Sequence, residues 1–532
     1  MAMIEVDYNE LCSLIGKKIE KDKLVDRISM MGAGVEDVEE NNIFVEVLPN
    51  RPDWLSVEGL ARSLKGFLGV ETGLLDYKTA EGEIEVKVDK SVERVRPHIA
   101  CAVVRGIKID DSLIKSMMQI QEKLHETVGR KRKKLAIGIH DLSKVEPPFV
   151  YKAVKPESLS FVPLGFDSKM SLKEILEKHP KGIDYAWTLE GADVYPVIVD
   201  KNNDVLSFPP IINGELTRVQ EQTTDLFIDM TGSSEKTLND ALNILVCMFA
   251  DRGAKIETVK VGGKTYPDLS AKEREVDFEN AEKLIGIKID ASEGKKLLER
   301  MGYGLSGRKA RIPCYRTDIF QEDDIIEDIA IAYGYDNLKP RKTIFPTIGG
   351  KHPEEIAADN LREMLVGFGL QETMNLMLTN EEKHYKKMSL KEGKRVEIAN
   401  PKTGETTMIR TSLLPGLLEV ISANKHEKYP QNIFEVGEVV LVDEQEETKT
   451  KTVKKVCVLC ADAAANYTSV KSILEMLFQE TGKKLEVRQK ELPFMVKGRA
   501  GEFKSGYIGE VSPEVLARFE IEVPIACFEF EF

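Results

Sequence analysis

A chain of 532 residues, 42% hydrophobic and 31% charged, has the composition of an ordinary globular protein and room for roughly three to five domains, which excludes a single small module and a mostly disordered chain. A formal net charge of −14 excludes a protein that coats nucleic acid by bulk electrostatics, so any contact with a polyanion must be local. Seven cysteines, odd in number and scattered, fit a reducing compartment better than a disulfide framework.

Residues 1–85 alternate strand and helix signals. They end in EVLPNRPDWLSVEGLARSLKGFLGV, where Asp53 or Ser56 can cap a helix whose apolar positions Leu60, Leu64, Phe67 and Leu68 recur at helical spacing. A small α+β domain is expected there. The opening MAMIEVDYNELC places acids where a signal peptide needs bases and then an apolar run. No stretch approaches the roughly 18 apolar residues that span a bilayer, the best being Ala241 to Ala250 with Asn243 inside it. A soluble, cytoplasmic protein is expected.

Residues 86–265 carry strand-like runs (HIACAVVRGIKI, KLAIGIHDL, VYPVIVD, DLFIDMTG) and helices around 111–126 and 236–252, which predicts one sizeable mixed α+β domain. Within it GRKRKKL sets five consecutive bases, Arg130 to Lys134, ahead of a strand; this is either a solvated loop or one that contacts phosphates. Residues 266–345 read helix, helix, short strand, acidic helix, the order of a winged or helix-turn-helix unit. GYGLSG at Gly302 to Gly307 matches GxGxxG but follows a helix and precedes a strand, the reverse of a dinucleotide site, so the glycines are read as helix terminators. Residues 346–532 predict helices at 353–368, 412–424 and 469–480 and strands around 371–378, 394–399, 431–442 and 454–461, hence an antiparallel sheet flanked by helices. CVLC at 457–460 sits in a strand-like run without a second pair or a His cluster, which favours buried structural cysteines over a zinc site. The expected class is α+β and multidomain. No P-loop, HExxH or GxSxG pattern is present.

The segment YRTDIFQEDDIIEDIAIAYGYDNL, 315–338, raises a charge problem: seven acids follow Arg316 with no base before Lys339. A helix from Glu322 to Tyr333 would turn Ile325, Ile326, Ile329, Ala330 and Tyr333 inward, leaving Asp324, Glu327 and Asp328 on the opposite face, with Asp318 arriving from the preceding strand. The helix dipole favours acids only in the first turn, which covers Glu322 to Asp324 but not Glu327 or Asp328. Two carboxylates about 4 Å apart repel by roughly 4 kcal/mol at an effective dielectric of about 20, so four that converge need a cation. An all-oxygen set without His or Cys suits Mg²⁺, or Ca²⁺, the alternative being a solvated acidic face.

This segment resembles the metal-site domain of the phenylalanyl-tRNA synthetase beta chains. The resemblance extends through NRPDWLSVEGLARSLKGFLG, SFPPIINGELTRVQEQTTDLFIDMTG, NPKTGETTMIRTSLLPGLLEV and NIFEVGEVV, in family order. The length and FPPIIN are similar to the archaeal and eukaryotic version. The resemblance implies two alpha and two beta chains that attach phenylalanine to tRNA(Phe) with ATP, and a Mg²⁺ site near the alpha chain whose pattern falls on Asp318, Asp324, Glu327 and Asp328. It implies a noncatalytic counterpart of the class II synthetase fold in the last domain. In agreement, Arg410 sits in MIRTSLLPGLL, yet SGYIGEVSPEVLARF has no arginine directly after its glycines to hold a triphosphate.

The middle domain resembles the family's editing domain, which hydrolyses tyrosine wrongly attached to the tRNA. An apolar pocket refuses an added hydroxyl only about 10²-fold, so a second, hydrolytic sieve is useful. Such a pocket needs a partner for the phenol and groups that orient a water. The polar candidates are Ser207, Asn213, Glu215, Asp229 and Thr231, with Asp229 or Thr231 the expected ligand contact and His140 a further candidate; each can instead be a turn, capping or structural residue. Two rivals remain at this point: a noncatalytic scaffold with a decayed editing site, and an independent Mg²⁺-dependent hydrolase.

Overall fold

Alternation of apolar and charged residues at the start dictates strands. In Ala2–Asp7 the side chains of Ile4 and Val6 are buried and Glu5 is exposed, and this strand pairs antiparallel with Asn42–Val47, which pairs with Gly34–Val38. The helix Val57–Phe67 follows, and Ser56 rather than Asp53 caps it: its Oγ accepts from Gly59 N at 3.2 Å, while Asp53 pairs with Arg51. The computed structural model describes residues 2–482 and 484–532, and the chain divides into two units, Met1–Lys342 and Thr343–Phe532.

The centre of the first unit is an eleven-stranded sheet. Its functional part is built from β1 (His98–Arg105), helix α1 (Asp111–Glu126), β2 (Leu135–Asp141), β3 (Val205–Phe208) and β4 (Leu226–Gly232). β4 lies between β1 and β2, antiparallel to both, with Asp229 opposite Cys101 on one side and Gly138 on the other. Every residue of β2 and β4 is buried, so the polar groups they carry must find partners inside. β2 ends the strand path, and the short strand Ile212–Asn213 ends it on the other side. The two ends approach each other, the Asn213 amide donating to the Ile139 carbonyl at 3.4 Å. The sheet thus curls without closing its backbone ladder.

The strands Lys272–Glu275, Gly304–Ser306 and Lys309–Ile312 form a three-stranded antiparallel sheet against helices Phe278–Ile285, Ala291–Arg300 and α2 (Glu322–Tyr333). Two of these strands lie where a single short strand was expected. Ile325 and Ile329 of α2 pack with Leu298 and Tyr303 in one core. Gly302, at φ +84°, follows a helix, and Gly307, at φ +62°, turns a hairpin; both need the left-handed region, and neither is placed to cradle a phosphate.

In the second unit a seven-stranded, mostly antiparallel sheet is centred on β5 (Gln431–Val442), β6 (Thr450–Ala461) and β7 (Ile525–Glu531). Both faces are covered. Cys457 and Leu459 pack with the helix Leu414–Ala423, whereas Val458 and Cys460 pack with the helices Pro353–Gly367 and Tyr467–Glu480. Residues three apart in a strand point to opposite faces, so Cys457 and Cys460 cannot share a metal, and both are buried free thiols. The strand expected at 394–399 is a single bridge, Glu397 to Met408. Among the described residues no helix is long and apolar enough to cross a membrane. The architecture is α+β and multidomain.

Candidate functional site

A cavity of about 500 Å³ opens where the curled sheet of the first unit fails to close. α1 supplies Ile114, Met117 and His125 to its wall, β2 supplies Ala136 to Ile139, and Ser207, Asn213 and Asp229 enter from β3, its neighbour and β4. The lining surface is more apolar than polar, though charged and polar side chains contribute to it, and the volume suits an amino-acid side chain with part of what it is attached to.

Asp229 is the centre of its polar side. Its Oδ2 lies 2.7 Å from His140 Nε2, and His140 Nδ1 lies 2.8 Å from Thr217 Oγ1; the ring and the carboxylate are both buried. A carboxylate only accepts, so Nε2 carries the proton toward Asp229, and Thr217 Oγ1 meets the other ring nitrogen. Gly138 makes this possible. A Cβ at that position would sit 2.2 Å from Asp229 Oδ2 and 2.7 Å from His140 Nε2, so the hydrogen bond crosses the space that a side chain would fill. Ser207, which lines the same cavity, has a buried Oγ with no hydrogen-bond partner among the described residues. A buried, unpartnered hydroxyl costs roughly 1–3 kcal/mol, which a ligand group would offset. His125 Nε2 accepts from Ile137 N at 2.8 Å, and burial, with Arg132, Arg96 and Lys181 nearby, pulls its pKa well below the usual value, so the ring is neutral.

Of the residues singled out in the sequence, Ser207, Asn213 and Asp229 reach the cavity, His140 stands behind Asp229, and two do not come in. Thr231, on the same face of β4 as Asp229, is held by Arg96, whose Nε donates to its Oγ1 at 2.8 Å and Nη2 to its carbonyl at 2.6 Å. Glu215 accepts from Gly165 N and pairs with Arg218 at 2.6 Å near the surface. Thr217, Gly138 and Arg96 went unread. A glycine amid apolar strand residues was the available signal for Gly138; Thr217 and Arg96 gave none, because their partners are distant in sequence.

In the acidic segment the helix geometry holds, but one of the three outward acids, Asp328, is covered while Glu327 stays exposed. Arg316, buried, grips Asp318 with Nε and Nη2 at 2.8 and 2.7 Å and reaches Asp328 Oδ2 at 2.8 Å. Tyr303 donates to the same Asp328 oxygen at 2.5 Å. Asp328 is therefore inside, and Asp318 comes from the loop after Lys309–Ile312, not from the strand's end. Asp324 Oδ2 accepts from Phe320 N and Gln321 N at the helix start. Glu327 has no ion-pair partner among the described residues; burial first, then Asp328, Asp324 and Asp318, raise its pKa, and the charge of Arg316 offsets this only in part. Among the described residues no three such ligands converge on one point. The donor chemistry, all oxygen, suits a hard cation, but the geometry is organised around Arg316.

The segment 340–532 matches the family model described as the phenylalanyl tRNA synthetase beta chain CLM domain, and 274–335 matches the tRNA synthetase B5 domain. The chain is 44% identical to the phenylalanine–tRNA ligase beta subunit of Archaeoglobus fulgidus, over 100% of this chain and 98% of that one, and 41% identical to that of Methanocaldococcus jannaschii, over 100% of both. This chain belongs to the phenylalanine–tRNA ligase beta subunits. A crystal structure of an N-terminal fragment of the beta subunit from Pyrococcus horikoshii superposes with a TM-score of 0.60 at 38% identity, covering 62% of this chain and 99% of the fragment.

Within the beta-chain segment 340–532, the arginine that a nucleotide site would use is already occupied. Arg410 is buried, its Nη1 2.6 Å from Glu435 Oε1 and its Nε donating to the Glu438 carbonyl at 2.9 Å. Glu529, also buried, accepts from Lys455, Ser412, Leu413 N and Leu414 N, and these partners hold its pKa below the usual range against the opposing effect of burial.

Proposed function

We propose that this chain works with an alpha subunit, two of each, as a phenylalanine–tRNA ligase that consumes ATP, and that its own contribution is hydrolysis of tyrosine wrongly attached to tRNA(Phe). The observation that carries the editing reading is the cavity lined both by a buried, unpartnered Ser207 hydroxyl and by the Asp229 carboxylate that His140 holds. Ser207 Oγ is the partner for the tyrosine phenol, a group phenylalanine lacks. Asp229, held by His140 and Thr217, orients a water for attack on the ester carbonyl; the ester C–O bond breaks, and the 3′-terminal ribose oxygen leaves with a proton. Aminoacylation is assigned to the alpha chain, because Arg410 is neutralised by Glu435 and has no charge left for a triphosphate.

Mg²⁺ is proposed at the acidic helix. Glu327, Asp324, Asp328 and Asp318 would hold it, and its chemistry there would be charge neutralisation that stiffens this segment, with no part in hydrolysis.

The test is co-expression with an alpha chain, mass determination, and assays of phenylalanine charging and Tyr-tRNA deacylation. A complex of two of each chain that performs both is expected. Asp229→Ala should lower deacylation by about 10²-fold or more. Unchanged deacylation removes Asp229 from the mechanism, and a complex that charges without deacylating points to a scaffold.

A further inference from the structure

The basic turn ahead of β2 has a geometry that a solvated loop does not need. Arg130, Lys131 and Arg132 are three consecutive non-glycine residues in the left-handed region, at φ 47°, 53° and 66°. Each costs on the order of 1–2 kcal/mol, and such conformations persist only where the surroundings impose them. Here they do. Lys134 N bonds to the Gly129 carbonyl at 2.8 Å and Arg132 N to the His125 carbonyl at 3.1 Å, which closes the turn on the end of α1. Arg132 turns inward: its guanidinium donates to the Ile211 carbonyl at 2.7 Å and the Pro210 carbonyl at 3.2 Å, lies 4.3 Å from the Tyr185 ring, and forms part of the cavity wall. From the other side Arg96, the clamp on Thr231, donates its Nη1 to the Lys133 carbonyl at 3.2 Å. Burial pulls Arg96 down to about 10.

With Arg132 committed inward to the cavity wall, its chain neighbours Arg130, Lys131 and Lys133 are exposed. None of the three has a carboxylate within ion-pair reach among the described residues, although nearby Lys123 and Lys181 pair with Glu126 at 3.6 Å and Glu122 at 3.8 Å. In a chain of net charge −14, three neighbouring cations without counter-ions, fixed by a strained turn that shares Arg132 with the cavity, stand out. We propose that this turn is a phosphodiester-binding rim: Arg130, Lys131 and Lys133 hold the backbone of the single-stranded 3′ end of an aminoacyl-tRNA while the aminoacyl group enters the cavity. The proposal rests on the editing reading for the group that enters, but the rim needs only a polyanion beside the opening. Its charge favours RNA over a protein partner, since a lysine- and arginine-only surface contacts phosphates in any sequence.

The experiment compares the alpha–beta complex with its Arg130→Gln/Lys131→Gln/Lys133→Gln variant, with a thermal melt and mass determination to confirm folding and assembly. Two readouts are taken between 50 and 200 mM salt: KM and kcat for deacylation of Tyr-tRNA, and equilibrium binding of a minihelix carrying the single-stranded acceptor end. The variant should raise KM about tenfold with kcat within twofold, weaken minihelix binding by a similar factor, and flatten the log–log salt dependence of binding by about 0.7 for each phosphate no longer neutralised. Unchanged minihelix affinity and salt slope would overturn the proposal whatever the deacylation result. If the wild-type complex fails to deacylate Tyr-tRNA, the editing reading falls, and minihelix binding alone decides the rim: a tenfold loss in the variant sustains it and equal binding removes it. Should the triple variant assemble poorly, Lys131→Gln alone, at an exposed side chain, is expected to flatten the slope by about 0.7, and an unchanged slope counts against the proposal.

Discussion

The cavity of the first unit and the Arg410 network of the second treat buried polar groups in opposite ways. Around Arg410 the charges are satisfied by the fold itself: Glu435 accepts from the guanidinium and from Asn375 Nδ2 at 2.7 Å, and Glu529 is met by five donors. Around Asp229 one hydroxyl, that of Ser207, is left without a partner beside an open volume. A fold that neutralises its own buried cation has nothing to offer a triphosphate, whereas a fold that leaves a hydroxyl unpaired beside a cavity gains when a ligand supplies the partner. The difference separates a polar group kept for architecture from one kept for binding.

The largest effect should come from breaking the closed network. Glu435→Gln removes the charge opposite Arg410 with little change of shape, and leaving a buried guanidinium uncompensated costs about 3–5 kcal/mol. Denaturant unfolding of the complex should show that loss. Replacing both partners, Arg410→Met with Glu435→Leu, should recover most of it, because no unpaired charge remains. If Glu435→Gln is neutral, Arg410 has another counter-charge and the argument for an occupied arginine fails.

The open site should respond the other way. Ser207→Ala deletes no hydrogen bond that the chain makes for itself, so stability is expected to stay within about 1 kcal/mol of wild type or to rise. Tyr-tRNA deacylation, in contrast, should fall about tenfold to a hundredfold, toward the rate on Phe-tRNA, which has no phenol to lose. A drop in stability without a change in the Tyr to Phe ratio would make Ser207 architectural and erase the contrast with Arg410.

How much of this was legible in the sequence follows the range of the interactions. The helix Glu322–Tyr333 could be read because its apolar stripe and its acidic first turn are local features, and its bounds are those the pattern predicts. Asp229 drew attention because a carboxylate in an apolar strand must have a reason. Thr231 drew the same attention for the same reason, yet its reason is Arg96, 135 residues away. Nothing in a strand's own pattern tells a residue gripped by a distant arginine from one that faces a cavity. Asp328 fails in a related manner: the helix turns it away from the isoleucines, but Tyr303 from a neighbouring strand segment and Arg316 from ahead of the helix cover that side.

The acidic helix lies between the two extremes, and Glu327 measures where. Its pKa is raised by burial and by Asp328, Asp324 and Asp318, so the folded state holds a proton more readily than the unfolded chain does. The stability linked to that proton is fully present below about pH 4.3, the usual glutamate value, and is lost as pH rises through the raised folded-state value. Without metal at pH 7, Glu327→Gln should therefore stabilise the chain, by about 0.5 kcal/mol once solvent screening of this largely exposed group is counted, and the gain should vanish near pH 4. Added Mg²⁺ should reverse the order. At about tenfold above its dissociation constant it would stabilise the wild type by about 1.4 kcal/mol and the variant by less, a difference readable as a shift in melting temperature. If Mg²⁺ moves both equally, Glu327 is not a ligand, and Arg316 with its two aspartates is a closed network like that of Arg410.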